Sequence, residues 1–391
     1  MTVELDSFYM ARALELAARG LFTTDPNPRV GCVLVREGRI VGEGWHERAG
    51  DAHAEIHALK QAGSDAAGST AYVSLEPCAH YGRTPPCTEA LIQAGVRRVV
   101  AATDDPNPEV NGKGLEQLRS AGLVADCGCM REEAQGLNPG FFSRMRRGLP
   151  WLRMKLAASL DGKTALVNRS SQWITALDAR RDGHAFRARA SAVLTGIGTV
   201  KDDDPRMDVR LVETPRQPRR ILVDSRLEVN PAARILAKPG VLVVTAIDPP
   251  DERRSRIEDL GHQILCLPNA HGKVDLPALM RWLGTQEINE VHVEAGNRLN
   301  GSLLREGCVD ELLVYLAPRL LGPGIGMIDL PGMDRLPEQP ELVFDEVTQL
   351  GPDLRIRARV LHTRSEAVVG GSPSANGLLR QAQLAGDGPK G

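Results

Sequence analysis

Ser74-Leu-Glu-Pro-Cys-Ala-His-Tyr-Gly-Arg-Thr-Pro-Pro-Cys87, read together with His53-Ala-Glu55, is the stretch from which the rest of this chain can be interpreted. Two cysteines with eight residues between them and a histidine at the start of a helical pattern offer three ligands to a borderline cation. Catalytic zinc commonly takes three protein ligands and keeps a fourth position for water, whereas structural zinc is closed by four. His53, Cys78 and Cys87 are therefore the expected zinc ligands, with both cysteines near element ends where backbone N–H groups and the metal favour thiolate. Zinc brings the pKa of its water to about 7, and a carboxylate two residues from the histidine can carry the released proton. Glu55 is that carboxylate. In a deaminase it would protonate a ring nitrogen and then help expel ammonia. A closed knot with His57 or His80 as fourth ligand is the structural alternative. His57 lies four residues after His53, but Glu55 falls one position late for a metalloprotease helix, so His57 is assigned to the core or to a place behind the ligands.

The 391 residues are enough for two cores, and 42% hydrophobic with 25% charged side chains is ordinary for folded domains. Forty-eight basic against fifty acidic residues, a net charge of -2, remove the electrostatic drive of a nucleic-acid coating protein and favour a small-molecule substrate. No apolar run approaches the roughly 18 residues of a membrane span, and Met1-Thr-Val-Glu-Leu-Asp6 lacks a basic leader, so a cytoplasmic protein without a membrane partner is expected. Seven cysteines do not suggest a disulfide framework. Cys32, Cys127, Cys129, Cys266 and Cys308 are read as small core residues.

Outward from the zinc stretch, Phe8, Met10, Ala11, Leu14, Ala17 and Ala18 recur at helical spacing within Asp6 to Arg19, and are expected to form one buried face. Val30 to Val35 and Ile40 to Gly44 read as strands joined by a hairpin turn; a helix from Ala52 to about Ala62, a strand at Ala71 to Leu75, a helix at Thr88 to Ala94 and a buried strand at Val96 to Ala102 follow. Gly140, the basic run Arg144 to Arg147 and Gly148-Leu-Pro150 mark a boundary, giving units at 1–148 and 149–364 and a disordered Gly/Ser/Ala/Pro tail at 365–391. Beyond it, strands are expected at 151–157, 192–195, 220–224, 241–245, 290–294 and 311–315, with helices at 176–190 and 277–283. Both units are α/β.

The motif from Ser74 to Cys87 closely resembles the RibD family of bifunctional riboflavin biosynthesis proteins, in which a pyrimidine deaminase is fused to a reductase. Asn27-Pro-Arg-Val-Gly31, Gly44-Trp-His46, Asp105-Pro-Asn-Pro108 and Asn138-Pro-Gly-Phe-Phe142 resemble it too, as do Lys155 to Lys163, Ser171-Gln-Trp-Ile-Thr175 and Val293-Glu-Ala-Gly296. The likeness extends to about Val360. It implies a cytidine-deaminase-like three-layer domain followed by a dihydrofolate-reductase-like α/β domain. By it, the first would remove the 2-amino group of 2,5-diamino-6-(5-phosphoribosylamino)pyrimidin-4(3H)-one with Zn2+ on His53, Cys78 and Cys87. The second would reduce the ribosyl side chain to ribityl with NADPH. Asn27, His46, Arg83 and Asn107 match positions near the deaminase substrate, although polar loop residues also serve ordinary turn chemistry. Arg83 suits a ribose phosphate, which a guanidinium grips bidentately.

No G-x-G-x-x-G follows any strand, so the dinucleotide must be cradled otherwise than in a Rossmann fold. Gly296-Asn297-Arg298-Leu299-Asn300-Gly301-Ser302, at a helix start after a strand, is the physical candidate for the pyrophosphate. The resemblance adds Ala157, Trp173, Thr199, Asp203 and Ser225 as cofactor contacts, and Ser171, Arg187, Met207, Arg210 and Glu294 as substrate contacts, with the arginines suited to phosphate and Glu294 to sugar hydroxyls. Lys155 would assist the carbon that accepts hydride. Taken singly, Arg187 reads equally as a helix-face residue, Met207 as core and Asp203 as a turn residue; the run Asp202-Asp-Asp204 leaves the cofactor register open by one position. A homo-oligomer acting on a phosphoribosylated pyrimidine, and not on nucleic acid, is expected. The competing readings are a nucleic-acid editing deaminase, a zinc-stabilised binding module without turnover, and a deaminase carrying an inactive reductase domain.

Overall fold

The computed structural model describes residues 3–79, 81, 85–108, 110–332 and 340–361. His80, Arg83 and the expected tail at 365–391 lie outside the described residues.

The first unit opens with α1 (Val3–Ala18) and the hairpin β1 (Gly31–Arg36) and β2 (Arg39–Trp45), followed by α2 (Ala54–Ala62), β3 (Thr70–Val73), α3 (Cys87–Gln93), β4 (Arg98–Ala101), α4 (Lys113–Ser120), β5 (Val124–Cys127), α5 (Arg131–Leu137) and α6 (Pro139–Arg147). Its sheet runs β2-β1-β3-β4-β5. The hairpin turn holds Glu37 and Gly38 at φ 51° and 76°, the left-handed pair that a tight two-residue turn requires. Alternation along the strands feeds two cores. Cys32, Leu34, Ala71, Val73, Val99 and Ala101 pack on one face, and Val33, Val35, Tyr72 and Val100 on the other. This is the expected three-layer sandwich.

Helix α1 buries Tyr9, Met10, Ala13, Leu16 and Ala17, while Phe8 is 65% exposed, which corrects the expected face. The reason is the 3.6-residue period: Asp6, held inside by Arg98 and Tyr72, sets the inward direction, and Phe8 is two residues away from it. The cysteine expectation is also corrected. Cys32 is buried, but Cys129, Cys266 and Cys308 are only partly so, and Cys127 is exposed with Arg131 Nη2 donating to its sulfur.

The second unit comprises β6 (Trp151–Ser159), β7 (Lys163–Leu166), α7 (Leu177–Arg189), β8 (Ala192–Gly196), α8 (Ile197–Asp203), β9 (Arg219–Val223), β10 (Leu242–Thr245), α9 (Asp251–Glu258), β11 (Gln263–Cys266), α10 (Leu276–Thr285), β12 (Glu290–Val293), α11 (Asn297–Arg305), β13 (Glu311–Ala317), β14 (Gly324–Gly326), β15 (Glu341–Leu350) and β16 (Asp353–Leu361). Nine strands form one sheet in the order β11-β10-β9-β8-β12-β6-β13-β16-β15. It is parallel from β11 to β13 and closes with the antiparallel hairpin β15–β16. Alternate residues again bury both faces: Leu194, Ile221 and Val244 lie in one core, Val193, Leu222 and Val243 in another. In parallel sheets of this kind ligands gather at the carboxyl ends of the strands. The turns after β6, β8 and β12 are therefore where a site belongs.

Candidate functional site

Two glycines bring the metal-site helix onto its sheet. A Cβ on Gly42 would stand 2.2 Å from the Ala58 carbonyl oxygen, and one on Gly44 would stand 2.3 Å from that of Ala54. Only glycine lets α2 lie this close on β2, and the contact fixes the helix start that carries His53 and Glu55. His53 caps α2, while Cys87 begins α3, whose first turn grips the Cys78 loop: Cys87 N–H donates to Cys78 Sγ at 3.3 Å, and Thr88 N–H and Oγ1 both donate to the Cys78 carbonyl at 3.2 Å. The result is one cluster. His53 Nδ1 lies 3.2 Å from Cys87 Sγ and 3.6 Å from Cys78 Sγ, and the three ligand atoms all fall within 4.8 Å of one another.

This donor set fits zinc. The hydrogen bond from the Cys87 thiol, with His53 beside it, lowers the Cys78 thiol to about 4, so a thiolate forms easily; Cys87 is held up by the charge it faces and by burial. Glu55 is 3% exposed, burial pushes its carboxyl up, and its Oε2 is buried without a hydrogen-bond partner among the described residues. A carboxylate oxygen is costly to leave so. It has the signature of a group whose partner is water or substrate. His57 is not part of the cluster found among the described residues, which leaves the site with three ligands there.

Beside the metal ligands, Asn27 Nδ2 lies 3.1 Å from His46 Nε2, and His46 Nδ1 lies 3.1 Å from the Ala52 carbonyl. A carbonyl only accepts, so Nδ1 carries the proton and Nε2 accepts from Asn27. Burial lowers the His46 pKa and favours this neutral ring, whose centroid is 5.5 Å from that of His53. Asn107 follows a turn in which its N–H donates to Asp105 Oδ1 at 2.8 Å.

A residue missed in the sequence holds that turn. Glu76, 3% exposed, accepts backbone N–H bonds from Asp105 (3.0 Å) and Gly112 (2.9 Å) on one oxygen, and from Gly114 (2.9 Å) and Leu115 (3.2 Å) on the other. It thus ties the Asn107 loop to the strand end that leads into Cys78. An amide nitrogen in place of either oxygen would face donors. Glu76→Gln is expected to cost about 1–3 kcal/mol in chemical or thermal unfolding. An unchanged midpoint would remove this role.

In the second unit the structure joins residues from β6, α7 and the end of β12. Glu294, just past β12, accepts from Arg187 Nε and, at 3.0 Å, from Arg187 Nη2; Lys155 Nζ is 3.7 Å from the same carboxylate and His292 Nε2 is 3.3 Å away. Burial opposes the charge, yet Arg187 and Lys155 hold Glu294 well below the ordinary carboxylate range. Arg187 Nη1 donates to the Asp208 carbonyl at 2.7 Å, so this arginine is committed to the protein, whereas Arg210 is 44% exposed in its side chain and pairs with Asp208 at 2.9 Å. Burial, with Arg187 and Arg210 nearby, depresses His184 to about 4 and keeps it neutral.

Thr199 Oγ1 lies 3.7 Å from the place of a Cβ on Gly296, so α8 and α11 begin side by side at the ends of the neighbouring strands β8 and β12. The expected loop 296–302 divides. Gly296 caps α11 with Asn297, Arg298 and Leu299 in its first turn. Asn300 turns inward, donating to the Ala295 and Met327 carbonyls, and a Cβ on Gly301 would stand 2.0 Å from the Asp329 carbonyl oxygen. Ser302 follows and accepts from Arg305 at 3.1 Å.

The acidic run resolves likewise. Asp202 pairs with exposed Arg169, Asp203 accepts from Ser171 Oγ at 3.0 Å, and Asp204 accepts from Arg234 N–H. Ala157 sits on β6 beside Tyr315; Trp173 is 56% exposed under the Arg180 guanidinium; Ser225 follows β9 and accepts from Ala246 N–H. Met207 departs from expectation, because its side chain belongs to a hydrophobic core and is 2% exposed. An apolar thioether is better removed from water than offered to a phosphorylated sugar. Its backbone adopts a positive φ of 57°.

Residues 3–103 match the family described as the cytidine and deoxycytidylate deaminase zinc-binding region, and residues 150–356 the family described as the RibD C-terminal domain. The riboflavin biosynthesis protein RibD of Escherichia coli K12 is 50% identical over 362 residues, covering 89% of this chain and 98% of that protein. RibD of Aquifex aeolicus is 43% identical over 91% of this chain and 99% of its own length. Among solved structures, Acinetobacter baumannii RibD is 41% identical with a TM-score of 0.84, covering 92% of this chain and all 100% of its own. A Thermotoga maritima diaminohydroxyphosphoribosylaminopyrimidine deaminase and 5-amino-6-(5-phosphoribosylamino)uracil reductase is 30% identical with a TM-score of 0.81, covering 92% of this chain and 99% of its own.

Proposed function

The chain belongs to the RibD family of riboflavin biosynthesis proteins, and from that premise we propose how its residues divide a deamination and a reduction between two sites. The first unit hydrolyses 2,5-diamino-6-(5-phosphoribosylamino)pyrimidin-4(3H)-one to the corresponding uracil. The second reduces the ribosyl group of that product to ribityl.

His53, Cys78 and Cys87 would hold zinc, which would supply an electrophilic centre that makes water easier to deprotonate near neutral pH. Glu55 takes one proton from the attacking water and passes it to the adjacent ring nitrogen; it then takes the proton of the newly bound hydroxyl and delivers it to the departing amino group, so that the carbonyl forms and ammonia leaves. The observation that carries this reading is its buried Oε2 beside the ligand cluster, without a hydrogen-bond partner among the described residues. Asn27, oriented by His46, and Asn107, on the loop held by Glu76, contact the pyrimidine. Arg83 has the chemistry for the ribose phosphate.

NADPH supplies hydride in the second unit. The geometry favours Thr199, Gly296, Asn297, Arg298 and Leu299 as its phosphate cradle, with Ala157, Trp173, Asp203, Ser225 and Ser302 as flanking contacts and Asn300 and Gly301 as supports from within. Arg187 orients Glu294 toward the sugar hydroxyls, Arg210 reaches for the phosphate, Ser171 lines the approach, Met207 supports it from the core, and Lys155 donates toward the oxygen of the carbon that accepts hydride. We place the boundary between the units at Gly148, where α6 ends in a left-handed glycine at φ 68°.

Zinc analysis with coupled ammonia and NADPH assays on the purified chain tests this. Release of ammonia, followed by NADPH oxidation only once the deaminated product is present, is expected. Ammonia without any NADPH oxidation would restrict the chain to deamination.

A further inference from the structure

The segment Asp25 to Arg29 of the deaminase unit is gripped from the reductase unit. Asn289 Nδ2 donates to the Pro26 carbonyl at 2.7 Å, Ser191 Oγ donates to Asp25 Oδ1 at 2.6 Å, and Arg29 Nη1 and Nη2 reach Glu290 Oε1 at 2.8 Å and the Arg189 carbonyl at 3.1 Å. Asn289 is itself fixed: it is 5% exposed and its Oδ1 accepts from Arg144 Nε at 2.7 Å. Its backbone N–H, like that of Glu290, donates to Ser191 Oγ, so the grip is continuous with the starts of β8 and β12. Asn27 stands in the middle of the gripped segment, between two prolines whose rings fix φ. The Pro26 carbonyl shares a planar peptide with the Asn27 N–H, and Pro28 restricts the backbone of the residue before it, so a shift at that carbonyl reaches Asn27 directly.

We infer that Asn289, a residue of the reductase unit, is a positioning residue for deamination: its bond to the Pro26 carbonyl sets where Asn27 stands against His46 and the pyrimidine. This rests on the assignment of Asn27 as a substrate contact, and the experiment separates the two. Asn289→Asp keeps the shape and the acceptor for Arg144 but loses the donor, and it sets a carboxylate beside Asp25, whose Oδ1 is 3.5 Å from the present amide nitrogen.

In the full-length zinc enzyme, N289D is expected to raise the deaminase KM about tenfold with kcat nearly unchanged. Reductase kinetics with the deaminated substrate, and zinc content, should not move. A merely structural role would show first in the reductase unit, to which Asn289 belongs, and loss of reduction in step with deamination would overturn the inference. Asn27→Ala should raise the same KM, and N289D added to N27A should raise it no further, because one residue acts through the other. Multiplied effects, or an effect of N27A with none of N289D, would also overturn it. No effect of N27A alone would instead reject the assignment of Asn27. If N289D does not fold, Asp25→Ala cuts the Ser191 contact from the other side, and an unchanged deaminase KM there counts against the proposal.

Discussion

Glu55→Gln is expected to lower ammonia release by about 10²–10⁴-fold while zinc content, and NADPH oxidation with the deaminated substrate supplied, stay as they are. The amide has the size and shape of the carboxylate but cannot accept a proton, so the change isolates proton transfer from packing. Position argues for the size of the effect: Glu55 is 3% exposed at the first turn of α2, two residues beyond His53 of the His/Cys cluster, and its Oε2 has no partner among the described residues to share the work. Among the described residues, those gathered around Glu294 and proposed for the reduction share no hydrogen bond with it, so the second activity is an internal control. Ammonia measured by a coupled assay and zinc measured on the same sample decide the matter. Full deaminase activity in the variant would sink the mechanism. Loss of zinc would show that the carboxylate acts on the metal site instead of on the proton.

Glu290→Gln is expected to destabilise the protein by about 3–5 kcal/mol, the range found when one member of a buried ion cluster is removed. Glu290 is 1% exposed and accepts from Arg29 at 2.8 Å, Arg153 at 2.9 Å and Arg189 at 3.0 Å. Burial would raise its carboxyl pKa, but Arg189, Arg29 and Arg153 together take it well below the ordinary value of 4.5. Burial also depresses Arg189 to about 10, as fits a group sharing one carboxylate with two other cations. A neutral amide would leave these guanidinium groups facing one another inside the protein. Because the folded carboxyl is depressed, its contribution is complete above 4.5 and is lost only as pH falls below that value. Urea unfolding at neutral pH should show the full difference, and the gap between the two proteins should narrow in strong acid. A variant as stable as the parent at neutral pH would mean that the cluster relaxes or admits water.

The two variants probe parts of the molecule that differed greatly in how far they could be read in advance. His53, Glu55, Cys78 and Cys87 were accessible because donor chemistry is carried by residue type, and short spacings already place such residues at element ends. Strands with near-continuous apolar runs, such as Arg219–Val223 and Leu242–Thr245, were likewise legible. Helices α4, α5, α6, α8 and α9 and strands β5, β7, β11, β14, β15 and β16 were not anticipated. Strand β15 shows why: its burial pattern is almost wholly exposed or intermediate, and it is ordered by pairing with β16 rather than by an apolar face. Helix α9, with the composition DERRSRIE, buries only Ile257.

By itself the sequence determined the two-unit plan and which side chains are offered as the donor set and the proposed proton carrier, since these depend on which side chains are present and on neighbours a few residues away. Tertiary structure alone decided what those groups face. The parallel register of β12 against β6, Glu290 opposite Trp151 and Val293 opposite Met154, sets Glu294 within reach of Lys155 and Arg187. The same strand start turns Asn289 and Glu290 toward the loop of Asn27. These partners are more than a hundred residues apart in the chain, and only sheet register and close packing, which no local pattern encodes, bring them within hydrogen-bond distance.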